Sequence, residues 1–332
     1  MKQFLKALAV ATLLVPGAAS AQDFTLRMGH FIPPSSSYLV AIESVPERIS
    51  KATDGRVEIQ LFSNLVPGPN LPDAVRDGRL DIVAPLHPWV SGTAPTLALA
   101  ELPGLFKGPE DYSVALNDFL EDEYIDVWRS QFNAVVLASG MFDRPVILSK
   151  KPLEKAEDFK GIRIRVPSVV MSQLMESLGA QPVQLPFGEI APAMERGVVD
   201  AVLTDAGTSR GMGFYDVAEY VNLWDIAVFS WPILINADTW ASLPEDLQGK
   251  LRTEFQAIQA DHFAGYQAHN DKVIADLQAK GMTVVIPSAE AAAQVFSPEN
   301  LEPLYQRYLK LSADRGRPAD DLLKAARAVN AN

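Results

Sequence analysis

An eleven-residue junction occurs twice in this chain, 119 positions apart. Ala74-Val75-Arg76-Asp77-Gly78-Arg79-Leu80-Asp81-Ile82-Val83-Ala84 is matched by Ala193-Met194-Glu195-Arg196-Gly197-Val198-Val199-Asp200-Ala201-Val202-Leu203. Both copies read as a helix end, a glycine stop, two linking residues, an aspartate and a buried strand. Each is preceded by a strand that alternates with period two, Val57 to Phe62 in the first copy and Ile162 to Val166 in the second. Helix–glycine–strand junctions are common in α/β proteins. The shared aspartate nevertheless favours two βαβ units in two similar lobes.

The remaining segments fit α/β layers. Thr25 to Gly29, Asp81 to Ala84, Ala134 to Ala138 and Met282 to Ile286 read as strands, and Tyr38 to Thr53 and Asp111 to Ser130 as helices, with Pro46 a kink point in the first. Glu245 to Lys280 has no proline, and its apolar residues recur at helical spacing from Leu247 to Leu277. The stripe weakens near His269 and Asn270. Unbroken, such a helix is about 54 Å long, enough to pass along two lobes. Two more helical stretches are expected after it.

The chain opens with Lys2 and Lys6, an apolar run from Ala7 to Val15, and Ala19-Ser20-Ala21. This is the pattern of a secretory signal peptide cleaved before Gln22. The run is too short for a retained span, and no later stretch approaches about 18 uninterrupted apolar residues. With no cysteine anywhere, a lipid anchor on cysteine and disulfides are excluded. Loss of Lys2 and Lys6 takes the net charge from −12 to −14. An acidic surface argues against nucleic acid and anionic lipid, but not against an anionic small ligand in a locally positive pocket.

No G-x-S-x-G, H-E-x-x-H, Walker A or C-x-x-C pattern occurs, so no catalytic residue, cofactor or metal site is assigned. Gly211-Met212-Gly213-Phe214-Tyr215-Asp216 lacks the third glycine of a dinucleotide fingerprint. His262 and His269 share a helical face, which without a third ligand reads as a solvated face. In Lys160-Gly161-Ile162-Arg163-Ile164-Arg165-Val166-Pro167 the arginines point one way and the apolar residues the other. A short strand ended by proline is a rigid mount for a guanidinium, whose planar fork matches a carboxylate.

Asp158 to Pro167 in a secreted α/β chain resembles the DctP-type solute-binding proteins of TRAP (tripartite ATP-independent periplasmic) transporters. Leu185-Pro186-Phe187-Gly188-Glu189-Ile190, leading to Gly197-Val198-Val199-Asp200, is similar to the family's second motif. Asn236 to Trp240, then Leu243 to Leu247, resembles its lead-in to a long helix. The resemblance implies a two-lobed periplasmic-binding-protein-like clamp with a hinge and a helix spanning both lobes. It places 22–144 with about 232–265 in lobe I, and 145–231 with about 266–330 in lobe II. It also implies a periplasmic, monomeric receptor passing an organic acid to TRAP permease subunits.

By motif match Arg165 is the carboxylate anchor, with Arg144 a second cleft arginine and Phe187 a lining residue. Phe31 and Trp89 follow strand ends, where α/β ligands sit. Thr204 stands where many members have asparagine, and its hydroxyl offers fewer donors. With Phe229 and Trp231 added, the aromatics suggest a monocarboxylate with an apolar or aromatic part. The competing readings are an ABC-type or sensory ligand-binding protein and a secreted hydrolase or lyase.

Overall fold

The computed structural model describes residues 23–31, 36–185 and 187–329. The expected leader, residues 1–21, lies outside the described residues. The first sheet holds β1 (Phe24–His30), β2 (Val57–Ser63), β3 (Ile82–Ala84), β4 (Ala134–Met141) and β10 (Ser230–Asn236). The second holds β5 (Pro145–Ser149), β6 (Arg163–Arg165), β7 (Gln181–Val183), β8 (Ala201–Asp205), β9 (Tyr220–Asn222) and β11 (Thr283–Val285). Their strand orders are β2-β1-β3-β10-β4 and β7-β6-β8-β5-β9-β11. In each, three parallel strands meet an antiparallel fourth, and the fifth is antiparallel to that fourth. The sheets are thus two copies of one topology, with β11 added to the second.

The repeated junction is the same in atomic detail. Gly78 and Gly197 sit at φ +67° and +65°, a left-handed turn that glycine reaches without steric cost. The amides of the next two residues then close on Ala74 in one copy and Ala193 in the other. Each aspartate ties its strand to the strand alongside. Asp81 Oδ2 accepts from Arg27 N at 2.8 Å and Nε at 3.2 Å, while Asp200 Oδ2 accepts from Arg163 N at 3.1 Å and Nε at 2.9 Å. Arg163 Nη2 completes a fork on Asp200 Oδ1 at 2.7 Å. Arg163 is therefore a structural arginine. Asp200→Ala is expected to lower the melting temperature by a few degrees and leave any ligand-induced shift intact, as read by thermal unfolding.

Strand register fixes how the lobes face. β10 starts opposite Met141, at the edge where β1 and β3 end; β5 starts opposite Asp205, where β6 and β8 end. Only Phe142, Asp143 and Arg144 separate β4 from β5. The carboxyl ends of the parallel strands in both sheets therefore meet across this crossover. A second crossover, residues 223–229, returns from β9 to β10 beside it, with Phe142 N donating to Phe229 O at 2.8 Å.

Helix α9 (Glu245–Ala279) runs unbroken for 35 residues, about 52 Å. It packs on α1 (Ser37–Ala52) and β4 in the first lobe, and on α7 (Ala206–Gly211) and β11 in the second. Its buried stripe is apolar at both ends, from Leu247 to Ile258 and at Val273 and Leu277, and carries His262, Tyr266 and Asn270 between. Those middle side chains hold the first crossover. His262 Nε2 accepts from Met141 N at 3.2 Å, Asn270 Oδ1 accepts from Arg144 N at 2.6 Å, and His269 Nε2 lies 3.2 Å from Asp143 Oδ2. The two histidines do not form the solvated face expected from the sequence. They face inward because the crossover offers them backbone and carboxylate partners.

Three helices close the chain where two were expected: α10 (Ala289–Val295), α11 (Pro298–Asp314) and α12 (Asp320–Val329). They do not stay with one lobe. α11 packs on α5 (Val169–Ser177) of the second lobe and on the turn Pro95–Glu101 of the first, and α12 packs on α3 (Pro109–Ala115). α12 buries Leu323 and Ala326, and that apolar stripe finds its cover in the first lobe, although the sequence reading placed 266–330 with the second.

Candidate functional site

Arg165 ends β6, on the carboxyl edge that faces the other lobe. It is 5 % exposed, and among the described residues it is the only buried arginine. Its Nε donates to Leu185 O and its Nη1 to Leu203 O, each at 3.1 Å. The Phe187 ring lies under the guanidinium at 5.0 Å. Among the described residues no carboxylate pairs with it and Nη2 has no acceptor, so part of the five-donor fork is left over. Burial pulls its pKa down to about 10, Asp205 opposing, which leaves it charged at neutral pH. A fixed, buried cation with spare donors has the chemistry to hold an anion.

Thr204 is buried on β8, two strand positions from Val202, the partner of Arg165, and so on the same face of the sheet. Phe187 opens α6 (Phe187–Glu195); Pro186 before it lies outside the described residues. Arg165, Phe187 and Thr204 thus belong to one edge of the second lobe.

Phe31 and Trp89 meet in the first lobe. Their rings are 4.3 Å apart, and Tyr38 and Phe142 join at 5.4 and 5.9 Å from Phe31. Trp89 packs over Gly68, where a Cβ would fall 2.4 Å from its ring. Residues 32–35, next to Phe31, lie outside the described residues. Trp231 is fully buried under Gly140, so it is a core residue, and Phe229 is buried on the return crossover.

Arg144 is placed elsewhere. It forms a two-pronged ion pair with Asp225 of the return crossover, Nε–Oδ1 2.5 Å and Nη2–Oδ2 2.6 Å. It lines a cavity of about 270 Å³ with Tyr266 and Asn270 of α9, and Arg165 is not part of that lining. The pair fastens one crossover to the other.

A compact set of residues absent from the sequence reading joins the lobes. Asp143 is fully buried; its Oδ1 accepts from Ser37 N at the start of α1 (3.0 Å), and its Oδ2 lies against His269. Asp205 caps α7, accepting from Thr208 N at 2.8 Å. Gly207, in the first turn of α7, leaves no room for a side chain, since a Cβ would lie 1.8 Å from Asp143 Oδ2 and 2.9 Å from Ser36 Cα. Ser36 caps α1 of the first lobe, so this is direct contact between lobes. Asp205 before a helical turn carries a readable capping signal. Nothing in the sequence marks Gly207.

The family model for the bacterial extracellular solute-binding proteins, family 7 (DctP), matches residues 28–311. The chain belongs to the DctP family. It is a family of solute-binding proteins, not of enzymes. A solute-binding protein of Chromohalobacter salexigens is 25 % identical over 325 residues, 93 % of each chain. A monocarboxylate 2-oxoacid-binding periplasmic protein of Nostoc sp. is 27 % identical over 82 % of this chain and 76 % of its own length. The crystal structure of a TRAP periplasmic solute binding protein from Desulfovibrio salexigens with bound orotic acid superposes with a TM-score of 0.82 at 21 % identity, covering 92 % of this chain and 98 % of its own. DctP7 of Bordetella pertussis, an extracytoplasmic solute receptor binding pyroglutamic acid, gives 0.80 at 19 %, over 92 % of this chain and 99 % of its own. These structures share the two-lobed fold. Among the described residues, no helix is long and apolar enough to cross a membrane.

Two buried carboxyls of this DctP-family protein lie where the lobes meet. Burial, with Asp143 second, pushes Asp205 up to about 7, against the pull of the Thr208 hydrogen bonds. Burial also pushes Glu101 of the first lobe up to about 7, against a hydrogen bond from Ser168 of the second. Each group keeps its proton in the folded chain at pH values where the unfolded chain has lost it. Stability therefore falls as pH rises from about 4 to about 7. The melting temperature is expected to be higher at pH 5 than at pH 8, and Asp205→Asn with Glu101→Gln should flatten that slope.

Proposed function

We propose that the protein is a periplasmic receptor that binds an organic acid between its lobes and delivers it to a TRAP-type permease. The observation that carries this is Arg165: a buried guanidinium with donors to spare, at the strand ends where the lobes face each other. A carboxylate loses its water when lobes close, and a charge-assisted fork offsets that loss. Arg165 anchors the carboxylate, the Thr204 hydroxyl adds a hydrogen bond, and Phe187, Phe31 and Trp89 wall an apolar or aromatic body. Arg144, held by Asp225, supports the hinge. The orotic and pyroglutamic acids of the solved relatives and the 2-oxoacids of the Nostoc protein are carboxylates, as this reading requires. The chain is exported by a leader cleaved before Gln22 and works as a monomer.

A thermal-unfolding screen against an organic-acid library tests the reading. A ligand at 100 times its Kd adds about 2.7 kcal/mol to stability, a rise of several degrees. Carboxylates are expected to give it, and Arg165→Ala to lose it for every hit. A variant that keeps the shift would remove Arg165 from the site, and turnover of a hit would make the protein an enzyme.

A further inference from the structure

We propose that the apolar cavity between α5, α11 and the turn Pro95–Glu101 is a second binding site, for a small uncharged aromatic molecule with one hydrogen-bond acceptor, and that filling it holds the two lobes together. The site is separate from Arg165 and does not rest on the carboxylate reading. The cavity has a volume of about 220 Å³. Pro95 and Ala98 of the first lobe form one wall, Val169 and Val170 of the second lobe another, and Leu304 and Leu311 of α11 the third. Most of the lining is therefore carbon. Val169 and Leu311 are 56 % and 43 % exposed, so the mouth opens to solvent. Exposed apolar side chains that converge on a concave surface mark a place where something binds.

Size and polarity select the occupant. An apolar cavity of about 150 Å³ takes up benzene, so this one has room for the ring and a short substituent. Arg307 and Gln173 on the lining show where the substituent points. The Gln173 amide, with its oxygen toward Arg307, accepts from Nη1 at 2.6 Å and Nε at 2.9 Å. Arg307 enters no ion pair among the described residues, and its Nη2 is left to donate to a carbonyl or phenol oxygen. A net charge on the ring would have nothing to solvate it at the other walls.

The walls belong to different lobes. α11 is fixed to the first: Tyr305 Oη donates to Pro103 O at 2.7 Å, and Arg317 just beyond the helix pairs with Glu123. α5 belongs to the second, and its cap, Ser168, stands three residues after Arg165. On the first-lobe side Ser91 lines the cavity two residues after Trp89. Parting the lobes would draw Val169 and Val170 away from Leu304 and Pro95 and break the Gln173–Arg307 bond. A molecule that touches both walls binds the present arrangement better than one with the lobes apart, and so favours it.

Benzamide is the probe, and acetamide, with the same amide and no ring, is the control. Methyl-resolved NMR on the whole protein should show shifts at Val169, Val170, Leu304 and Leu311 that saturate with millimolar benzamide or less, and none with acetamide. Val169→Trp places its ring across the mouth from an exposed position, and should weaken binding at least about 10-fold while circular dichroism stays as in the parent. Arg307→Ala should weaken it about threefold or more. Hydrogen exchange of the crossover amides of Phe142 and Val228 should slow when the probe binds. Arg165→Ala should bind benzamide as the parent does, so this site and the carboxylate anchor stand or fall separately. Shifts that are absent, that survive Val169→Trp or that vanish in Arg165→Ala overturn the site. Equal shifts with acetamide overturn the aromatic class, unchanged affinity in Arg307→Ala overturns the acceptor, and binding that leaves exchange unchanged overturns the hold on the lobes.

Discussion

Arg165→Ala is expected to weaken carboxylate binding by about 10²–10³-fold, while the ligand-free protein still folds. The size follows from what the guanidinium does. Truncating one partner of a buried, hydrogen-bonded charge pair costs about 2–5 kcal/mol, much of it from the anion left without a counter-charge. The fold survives because Arg165 binds only two backbone carbonyls in the chain itself, Leu185 O and Leu203 O, and enters no ion pair among the described residues. Its burial is a cost to the folded chain, as its lowered pKa records. Arg165→Lys separates charge from geometry. A lysine keeps the cation but cannot grip both carbonyls and present a flat fork to the ligand. It should recover a minor part of the affinity. Calorimetry for affinity, and circular dichroism with thermal unfolding for the ligand-free fold, check both variants. Arg165→Ala with unchanged affinity would sink the assignment.

Gly207→Ala is expected to cost nearly as much affinity without touching the ligand. A methyl at this position would overlap Asp143 Oδ2 and crowd Ser36 Cα. Neither neighbour gives way easily. The Asp143 carboxylate is held by Ser37 N and His269, and the Ser36 contact is backbone. Relief comes most simply by separating α1 from α7, which opens the lobes. Holding the binding-competent arrangement at a small population weakens apparent affinity by that fraction. A drop of 10-fold or more is expected, with a larger radius of gyration in small-angle scattering when ligand is present. The pairing of outcomes is diagnostic: Arg165→Ala removes the anchor and leaves the contact between α1 and α7 intact, whereas Gly207→Ala keeps the anchor and resists closing.

The lobes were legible in the sequence because each is specified locally. Gly78 and Gly197 stop helices, Asp81 and Asp200 tie neighbouring strands, and alternation marks the strands themselves. α9 was legible at its ends, where Leu and Phe recur. Its centre was not, because His262, Tyr266 and Asn270 are inward for hydrogen bonding to the crossover, and hydrophobic spacing does not register polar residues turned inward. The site divides in the same way. Arg165 could be picked out as a candidate from its strand and its motif, and the structure shows it buried with donors to spare. The Arg144–Asp225 pair joins residues 81 apart on two crossovers, and no local pattern announces it. The meeting of Asp143, Asp205 and Gly207 is set by how two lobes dock. That geometry belongs to neither segment alone.

The two lobes share a plan but not a charge. Arg163 corresponds to Arg27, so the counterpart of Arg165 two positions on is Gly29, where any side chain would run into Leu80. One half of the clamp holds the cation and the other holds the Phe31 and Trp89 rings. On the proposed reading of Arg165 as the anchor, capture has an order. A drifting acid is drawn first to the charged half, and that encounter rate should fall with added salt. On the same reading the aromatic half then comes down as a lid, and how long the solute stays is set by how firmly that lid rests.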